Sequence, residues 1–154
     1  MQSVTIDGPR LGCGEVCRQV LADLPAWFGI DEATRTYIET VETLPTFVAR
    51  INGLPVGFMS LRSHSPQSAE LHVLGVLRAY HRQGIGSRLL HACEHHLQSQ
   101  GVRFLQVKTV ALEAGSAEYQ QTLRFYEAAG FVALEVFPDL WDERNPCLQM
   151  IKRL

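Results

Sequence analysis

The stretch His81-Arg82-Gln83-Gly84-Ile85-Gly86-Ser87 decides how this sequence is interpreted. It follows an apolar, strand-like segment that ends at Val76, and it opens a predicted helix that runs to about Gln100. A chain that passes from a strand into a helix through glycines presents unpaired backbone N–H groups and the positive end of the helix dipole at one point. Glycine also lets a ligand approach the backbone closely, because it has no Cβ. The stretch therefore predicts a phosphate-binding turn.

The residues around the glycines exclude two common phosphate sites. A dinucleotide-binding fingerprint requires a third glycine three residues after Gly86, where this chain has Leu89. A P-loop requires Gly-Lys-Ser or Gly-Lys-Thr, and the sequence contains neither. On the glycines alone, an ordinary tight turn remains the competing interpretation.

The remaining sequence predicts strands and helices that interleave around this turn. Asn52-Gly53 between two β-prone runs predicts a hairpin, whereas the segment from Asp7 to Gly12 is expected to break the first strand. Predicted helices cover 13–24, 31–43, 85–100 and 118–129, a loop covers 111–117, and predicted strands cover 4–6, 46–51, 55–61, 70–76, 104–110, 131–137 and 147–152. This order predicts a mixed central sheet covered by helices.

Composition and charge restrict the class of protein. The chain has 154 residues, 46% of them hydrophobic, and no linker that would divide it, so we expect a single domain over 1–154. A net charge of −2 without a block of like charges predicts neither nucleic acid nor a membrane as partner. The first twenty residues lack a basic start followed by an apolar block, so we expect a cytoplasmic protein whose four cysteines are thiols.

Two motifs together resemble the GNAT superfamily of N-acetyltransferases. In that family a strand ending in an apolar residue, any residue and valine leads into Arg/Gln-x-x-Gly-x-Gly/Ala and a helix. The corresponding segments here are Leu74-Gly75-Val76 and residues 81–86. The later family signature Phe/Leu-Tyr-Glu-x-x-Gly-Phe corresponds to residues 125–131, about forty residues further on. The predicted order of elements is also similar to the family's over nearly the whole chain.

The resemblance implies an α/β fold with a mixed, mostly antiparallel central sheet of about six to seven strands, splayed in the middle and flanked by about four helices. The splay would admit acetyl-coenzyme A as cosubstrate, with no metal. Strand backbone would pair with the pantetheine amides, N–H groups of the glycine turn would hold the diphosphate, and Tyr126 would act on the departing thiolate as general acid. The implied cofactor contacts are Leu74, Gly75, Val76, His81, Arg82, Gln83, Gly84, Ile85, Gly86 and Ser87.

Three positions depart from the family pattern. His81 occupies the first position of the glycine motif, where the family has Arg or Gln. Tyr119 stands seven residues before Tyr126, where many members carry an asparagine that touches the cofactor, and we count it among the cofactor contacts. Some members carry a catalytic glutamate on the strand after the long helix, but the matching residue here is Gln106, which cannot accept a proton at neutral pH.

Other residues must therefore supply the base and the acceptor pocket. Glu70 and His72 are two apart on one predicted strand, so we expect them to share a face, together with Leu74 and Val76, and to be the catalytic base candidates. The imidazole of His72 has an intrinsic pKa closer to neutral pH than a carboxylate has. Glu70 would hold this imidazole or attract a cationic amine. Trp27, Phe28 and Trp141, all expected in irregular segments, would line the acceptor pocket, although packing at the core edge is equally compatible with the sequence.

The function expected from the sequence is acetyl transfer from acetyl-coenzyme A to a primary amine of a small molecule or a protein. The alternative is a non-catalytic acyl-coenzyme A sensor or interaction module of the same fold, and a homodimer is open in either case. The pattern His91-Ala92-Cys93-Glu94-His95 also matches that of inverted zinc peptidases. Its two histidines are expected on the outer face of the helix, and Cys13 and Cys17 are expected to be buried rather than metal-binding.

Overall fold

A computed structural model describes residues 3–111 and 116–154 of the chain. The strands and helices in these ranges are β1 (Val4–Arg10), α1 (Gly14–Ala22), α2 (Asp31–Val41), β2 (Thr46–Ile51), β3 (Leu54–Ser65), β4 (Ser68–Val76), α3 (Ile85–Ser99), β5 (Phe104–Val110), α4 (Ala117–Ala128), β6 (Val132–Asp142) and β7 (Asn145–Arg153), with a 3₁₀ turn at Arg78–Tyr80. Most of the predicted loop 111–117 lies outside the described residues. No helix in the described ranges is long and apolar enough to cross a membrane.

The strands form one sheet in the order β1-β2-β3-β4-β5-β7-β6. β4 and β5 run parallel, and the other neighbouring pairs in this sheet are antiparallel. The predicted hairpin joins β2 to β3, where Asn52 and Gly53 both have positive φ, at 52° and 79°. These values are typical of the turn that matches the twist of the two strands. The predicted mixed, mostly antiparallel sheet with flanking helices is thereby confirmed.

Helices cover both faces of the sheet. On one face, α3 and α4 contribute Leu89, Cys93 and Tyr126 to an apolar core with the strands. On the other face, α1 and α2 contribute Cys17 and Val41 to a second core. This architecture defines an α3 side and an α1 side of the sheet, and these two names are kept below.

Two segments predicted as irregular are strand. β1 continues through Gly8 and Pro9 to Arg10, which pairs with Thr46 across a register shift. Glycine is required at that shift, because a Cβ on Gly8 would lie 2.7 Å from the Thr46 carbonyl oxygen. Trp141 lies near the end of β6, just before the hairpin that pairs Asp142 with Asn145. In both cases pairing with a neighbouring strand overrides local turn chemistry.

Candidate active site

The central feature of the sheet is a gap between the two parallel strands. Pairing of β4 with β5 ends at Leu71 and Val107. β4 nevertheless continues to Val76 and β5 to Val110, where β5 still pairs with β7. The last residues of β4 and β5 therefore have no partner between them, which leaves backbone hydrogen-bonding groups open to a ligand. This is the splay that the resemblance implied.

A β-bulge lies where the two strands separate. Ser60 pairs with Val73 and Leu61 with Leu71, so His72 is an extra residue of β4 without a partner in β3. After the bulge, the Val73 side chain packs on the α1 side, and those of Leu74 and Val76 pack on the α3 side. The His72 ring faces α2, on the opposite side from Leu74 and Val76. The prediction that all four residues share one face was wrong, because a bulge interrupts strict alternation.

The backbone of Leu74 and Val76 faces the gap. The N–H of Leu77 donates to the carbonyl oxygen of Val56 at 2.8 Å, and the register places Gly75 opposite Phe58. Because antiparallel pairing alternates, Gly75 uses its polar groups toward β3, and its two neighbours turn theirs away from β3. The His81 ring Nε2 donates to the Val76 carbonyl at 2.6 Å. His81 thus ties the glycine turn to the end of β4, and the second lone pair of that carbonyl remains open.

The glycine turn ends in the N-terminus of α3. Gly84 has φ +78° and Arg82 has φ +59°, both in the left-handed region. Arg88 donates the first N–H bond of the helix, to Gly84. Within the described residues, no acceptor is found for the backbone N–H groups from Gly84 to Ser87. A set of convergent, unpaired N–H groups at the positive end of a helix is an anion-binding arrangement.

Gly84 and Gly86 have different structural roles. A Cβ on Gly84 would meet nothing within 4 Å, so this residue is required for its backbone conformation. A Cβ on Gly86 would lie 3.2 Å from the ring of Phe125. Gly86 therefore allows α3 and α4 to approach closely, which is a packing role that the sequence did not predict.

Tyr126 lies on α4 in the apolar core of the α3 side. Its side chain is 4% exposed and packs edge-on between the rings of Phe125 and Phe131. Burial raises the pKa of the phenol well above its ordinary value, and the neighbouring Tyr37 raises it further. No group among the described residues accepts a hydrogen bond from its hydroxyl. A neutral phenol with a free donor can serve a developing anion.

Tyr37 on α2 lies beside the bulge and was not singled out from the sequence. Its ring packs edge-on against His72, with 5.6 Å between the ring centroids, and against Phe28 at 5.9 Å. Burial raises its pKa, and the charge of Glu70 adds to that effect. Tyr37 also raises the pKa of Tyr119 and of Tyr126. Its ring therefore faces the bulge from the α1 side, while Tyr126 packs on the α3 side of the sheet.

Glu70 is engaged by two neighbours that the sequence analysis did not single out. Its Oε1 accepts from His64 Nε2 at 2.6 Å and from Lys108 Nζ at 3.1 Å. Glu70 is 7% exposed, whereas the side chains of His64 and Lys108 are 37% and 27% exposed, so the buried carboxylate is bonded by two partly exposed partners. The carboxylate thus holds the imidazole of His64 rather than that of His72, contrary to the expectation from spacing. His64, Glu70 and Lys108 come together only through the register of β3, β4 and β5, so their contacts could not be predicted from the sequence.

His72 is the base candidate that lies at the bulge. Burial is the main reason why the pKa of His72 is lowered. The positive charge of Arg62 lowers this pKa further, whereas the negative charge of Glu70 raises it. Lys108 and His64 also lower it. A lowered pKa keeps the imidazole neutral near pH 7, with a lone pair available to accept a proton. Gln106, by contrast, is bonded to Gln149 at 2.8 Å and carries no titratable group.

The loop after α1 is fastened to α4. The indole N–H of Trp27 donates to Glu118 O at 3.1 Å and to Thr122 Oγ1 at 3.2 Å. The Tyr119 hydroxyl donates to the Trp27 carbonyl at 2.7 Å, so that hydroxyl is used inside the protein. The Trp27 ring also packs edge-on against His81, with centroids 5.8 Å apart. Trp27 therefore lies between the glycine turn and α4, beside the gap.

The candidate metal ligands of the competing motifs lie on the surface of α3 and in the core on the α1 side. His91 and His95 are exposed on the outer face of α3, as predicted. Cys13 and Cys17 are buried free thiols, and burial raises the pKa of Cys17 to about 12. Within residues 3–111 and 116–154 no cluster of three metal-ligating side chains is found.

Comparison with curated proteins finds mycothiol acetyltransferases. The protein from Corynebacterium glutamicum strain ATCC 13032 is 32% identical over 80 residues, which are 52% of this chain and 25% of that protein. The corresponding protein of strain R is 30% identical over the same share. The chain therefore spans about a quarter of the length of the curated relatives that it matches.

Solved structures share the fold over almost the full chain. A GNAT-family protein from Desulfovibrio desulfuricans has a TM-score of 0.84 at 19% identity, covering 98% of this chain and 99% of that one. The ribosomal-protein-S18-alanine N-acetyltransferase from Escherichia coli has a TM-score of 0.77 at 20% identity, covering 98% and 94%. A GNAT acetyltransferase from Elizabethkingia anophelis with acetyl-CoA bound has a TM-score of 0.74 at 16% identity, covering 98% of each chain. The model of the acetyltransferase (GNAT) family matches residues 17–131, and this protein therefore belongs to the GNAT acetyltransferase family.

Proposed function

We propose that this protein transfers an acetyl group from acetyl-coenzyme A to a primary amine. The observation that carries the proposal is the position of the gap, since the unpaired end of β4 opens directly beside the anion-binding turn. A ligand with an extended amide-containing arm and a diphosphate matches both features at once. The structure from Elizabethkingia anophelis, which contains acetyl-CoA, supports that choice of ligand.

The residues around the gap fit this cosubstrate. Open backbone groups at Leu74 and Val76 would pair with the amides of the pantetheine arm in the manner of a strand. The N–H groups between Gly84 and Ser87 would bind the diphosphate, and the exposed side chains of Arg82 and Arg88 would add positive charge. Among the predicted cofactor contacts, Gly75 uses its polar groups toward β3, and the His81 N–H donates to the Arg78 carbonyl oxygen at 3.1 Å. Backbone contacts would therefore come from Leu74, Val76 and the turn after Gln83, while Tyr119 would contact the cosubstrate through its ring.

Tyr126 would donate to the thiolate that leaves. An ordinary phenol pKa near 10 against a thiol pKa near 8.5 makes complete proton transfer uphill by about 2 kcal/mol. Burial raises the phenol pKa further, which keeps the proton on Tyr126. The main contribution of Tyr126 is therefore a hydrogen bond that strengthens as the thiolate forms.

His72 would remove the proton from the amine, directly or through a water. A primary ammonium with a pKa near 10.4 is almost wholly protonated at neutral pH, so the reaction needs a base. The neutral imidazole at the bulge meets that need, and Val76 N–H would face the oxygen that becomes negative. Glu70 would stabilise this face of the sheet through His64 and Lys108.

The acceptor would enter from the α1 side. Trp27 and Phe28 border the gap there, and Trp141, 44% exposed near the tip of the β6–β7 hairpin, would contact the more distant part of the acceptor. The names of the similar proteins differ in the acceptor, since one is a mycothiol acetyltransferase and another is a ribosomal-protein-S18-alanine N-acetyltransferase. Both a small-molecule amine and a protein amine are therefore compatible with the proposal.

The test is release of coenzyme A thiol from acetyl-coenzyme A in the presence of a panel of amines. We expect release above the hydrolytic background for at least one amine, with one acetylated amine formed per thiol. Binding of acetyl-coenzyme A without thiol release for any amine would instead identify an acyl-coenzyme A-binding module. The absence of a carboxylate at Gln106 is the observation that favours this second candidate.

A further inference from the structure

A group of charged side chains lies on the α1 side of the sheet, close to the point where β4 and β5 stop pairing. Arg62 and His64 come from β3, Glu70 from β4 and Lys108 from β5. Arg62 is directly opposite Glu70 in the strand register. We call these four residues the basic cluster, because two permanent cations and one histidine surround one carboxylate.

The charges of the basic cluster do not balance. Glu70 accepts from Lys108 at 3.1 Å, which neutralises its charge, and from His64 at 2.6 Å. Arg62 forms no ion pair with any described residue, and its buried Nε has no hydrogen-bond partner among them. A buried donor left without a partner is costly, and more so when it is charged. The basic cluster therefore carries one positive charge that none of its own carboxylates neutralises.

The missing charge would lie next to the proposed base. Arg62 pairs in the strand register with Glu70, two residues before His72 in β4, and its positive charge lowers the pKa of the His72 imidazole. A planar guanidinium binds carboxylates and phosphates with two parallel hydrogen bonds. An anion on Arg62 would thus fix one end of an acceptor whose amine reaches the gap.

We propose that the acceptor amine also carries an oxyanion group, a carboxylate or a phosphate, and that Arg62 binds this group. This inference rests on the proposed function, since it names the class of acceptor for the same site. Lys108 assists this binding because its ion pair with Glu70 keeps the carboxylate from pairing with Arg62 on the neighbouring strand. Polyamines and other purely cationic amines are poor acceptors under this proposal.

The experiment compares matched amines with and without the anion. Amino acids are assayed against their carboxamides, and O-phosphoethanolamine against ethanolamine, to separate the two sources of the oxyanion. We expect at least a tenfold higher kcat/KM for the anionic member of one pair. Arg62→Gln should remove this preference while the KM for acetyl-coenzyme A stays unchanged. Lys108→Met should reduce the preference, because Glu70 then pairs with Arg62.

The exposed Arg103 gives a control, because Arg103→Gln changes the net charge equally and should keep the preference. The same pairs are titrated calorimetrically in the presence of coenzyme A, where binding requires no turnover. Equal binding and equal kcat/KM within both pairs would overturn the oxyanion site. Binding that depends on Arg62 without any thiol release would contradict the proposed acetyl transfer and leave the oxyanion site standing.

Discussion

Replacing Tyr126 with phenylalanine isolates the hydroxyl at the centre of the proposed chemistry. The variant keeps the ring between Phe125 and Phe131, so the packing of α4 is retained. The lost interaction is a hydrogen bond to a developing anion, which contributes about 1.5–3 kcal/mol. At 1.36 kcal/mol for each factor of ten, kcat should fall about ten- to 150-fold. The KM for acetyl-coenzyme A should change little, because the bond strengthens only as the thiolate forms.

The same variant makes a prediction about stability. The hydroxyl of Tyr126 donates to no described residue, so its removal should change the free energy of unfolding by less than about 1 kcal/mol. Tyr119→Phe is the matched control, because it removes a hydroxyl that donates to the Trp27 carbonyl at 2.7 Å. That control should lower the melting temperature and spare the thiolate step. Initial rates of thiol release and thermal unfolding measure both effects, and a wild-type kcat in a folded Tyr126→Phe protein would refute the assignment.

The remaining predictions concern the base, the acceptor loop and the packing at the gap. Because burial lowers the pKa of His72, kcat/KM should rise with pH through an ionisation below about 6.5, and His72→Gln should abolish that rise in a pH–rate profile. Glu70→Gln should keep the pH dependence and lower thermal stability, since it weakens the bonds to His64 and Lys108; a lost pH dependence would make Glu70 the base. Trp27→Ala should raise the KM of the acceptor more than that of acetyl-coenzyme A in steady-state assays, whereas equal effects would indicate a packing role. Gly75→Ala should destabilise the fold by about 1–3 kcal/mol in chemical denaturation, because its Cβ would lie 2.9 Å from Leu24 and 3.0 Å from Val20.

Much of the fold could be predicted because local patterns and tertiary structure agree. β5 was predicted with its observed bounds, and the Asn52-Gly53 hairpin and the start of α3 followed from turn chemistry. The two prominent errors, at β1 and β6, fall on edge strands of the sheet. There the local signals favour turns, and pairing with one neighbouring strand decides the outcome.

The site was only partly predictable, and the reason is the register of the strands. The glycine turn is local, so sequence alone places Gly84 at a helix N-terminus. The bulge at His72 adds one residue to a single strand, and no residue type in the sequence marks it. The basic cluster joins three strands, and Tyr37 reaches the bulge from α2. Contacts of this kind depend on tertiary pairing, which a linear pattern does not contain.

A calorimetric titration of acetyl-coenzyme A into Gly84→Ala and Gly101→Ala tests most directly whether the glycine turn and the gap form the cosubstrate site. Both glycines have left-handed φ, +78° and +81°, both flank α3, and neither has any atom within 4 Å of an added Cβ. Their substitution should strain the backbone by a similar amount, about 1–2 kcal/mol. We predict that Gly84→Ala weakens acetyl-coenzyme A binding at least tenfold and that Gly101→Ala leaves it at the wild-type value. Equal affinities in the two folded variants would contradict the assignment of the site.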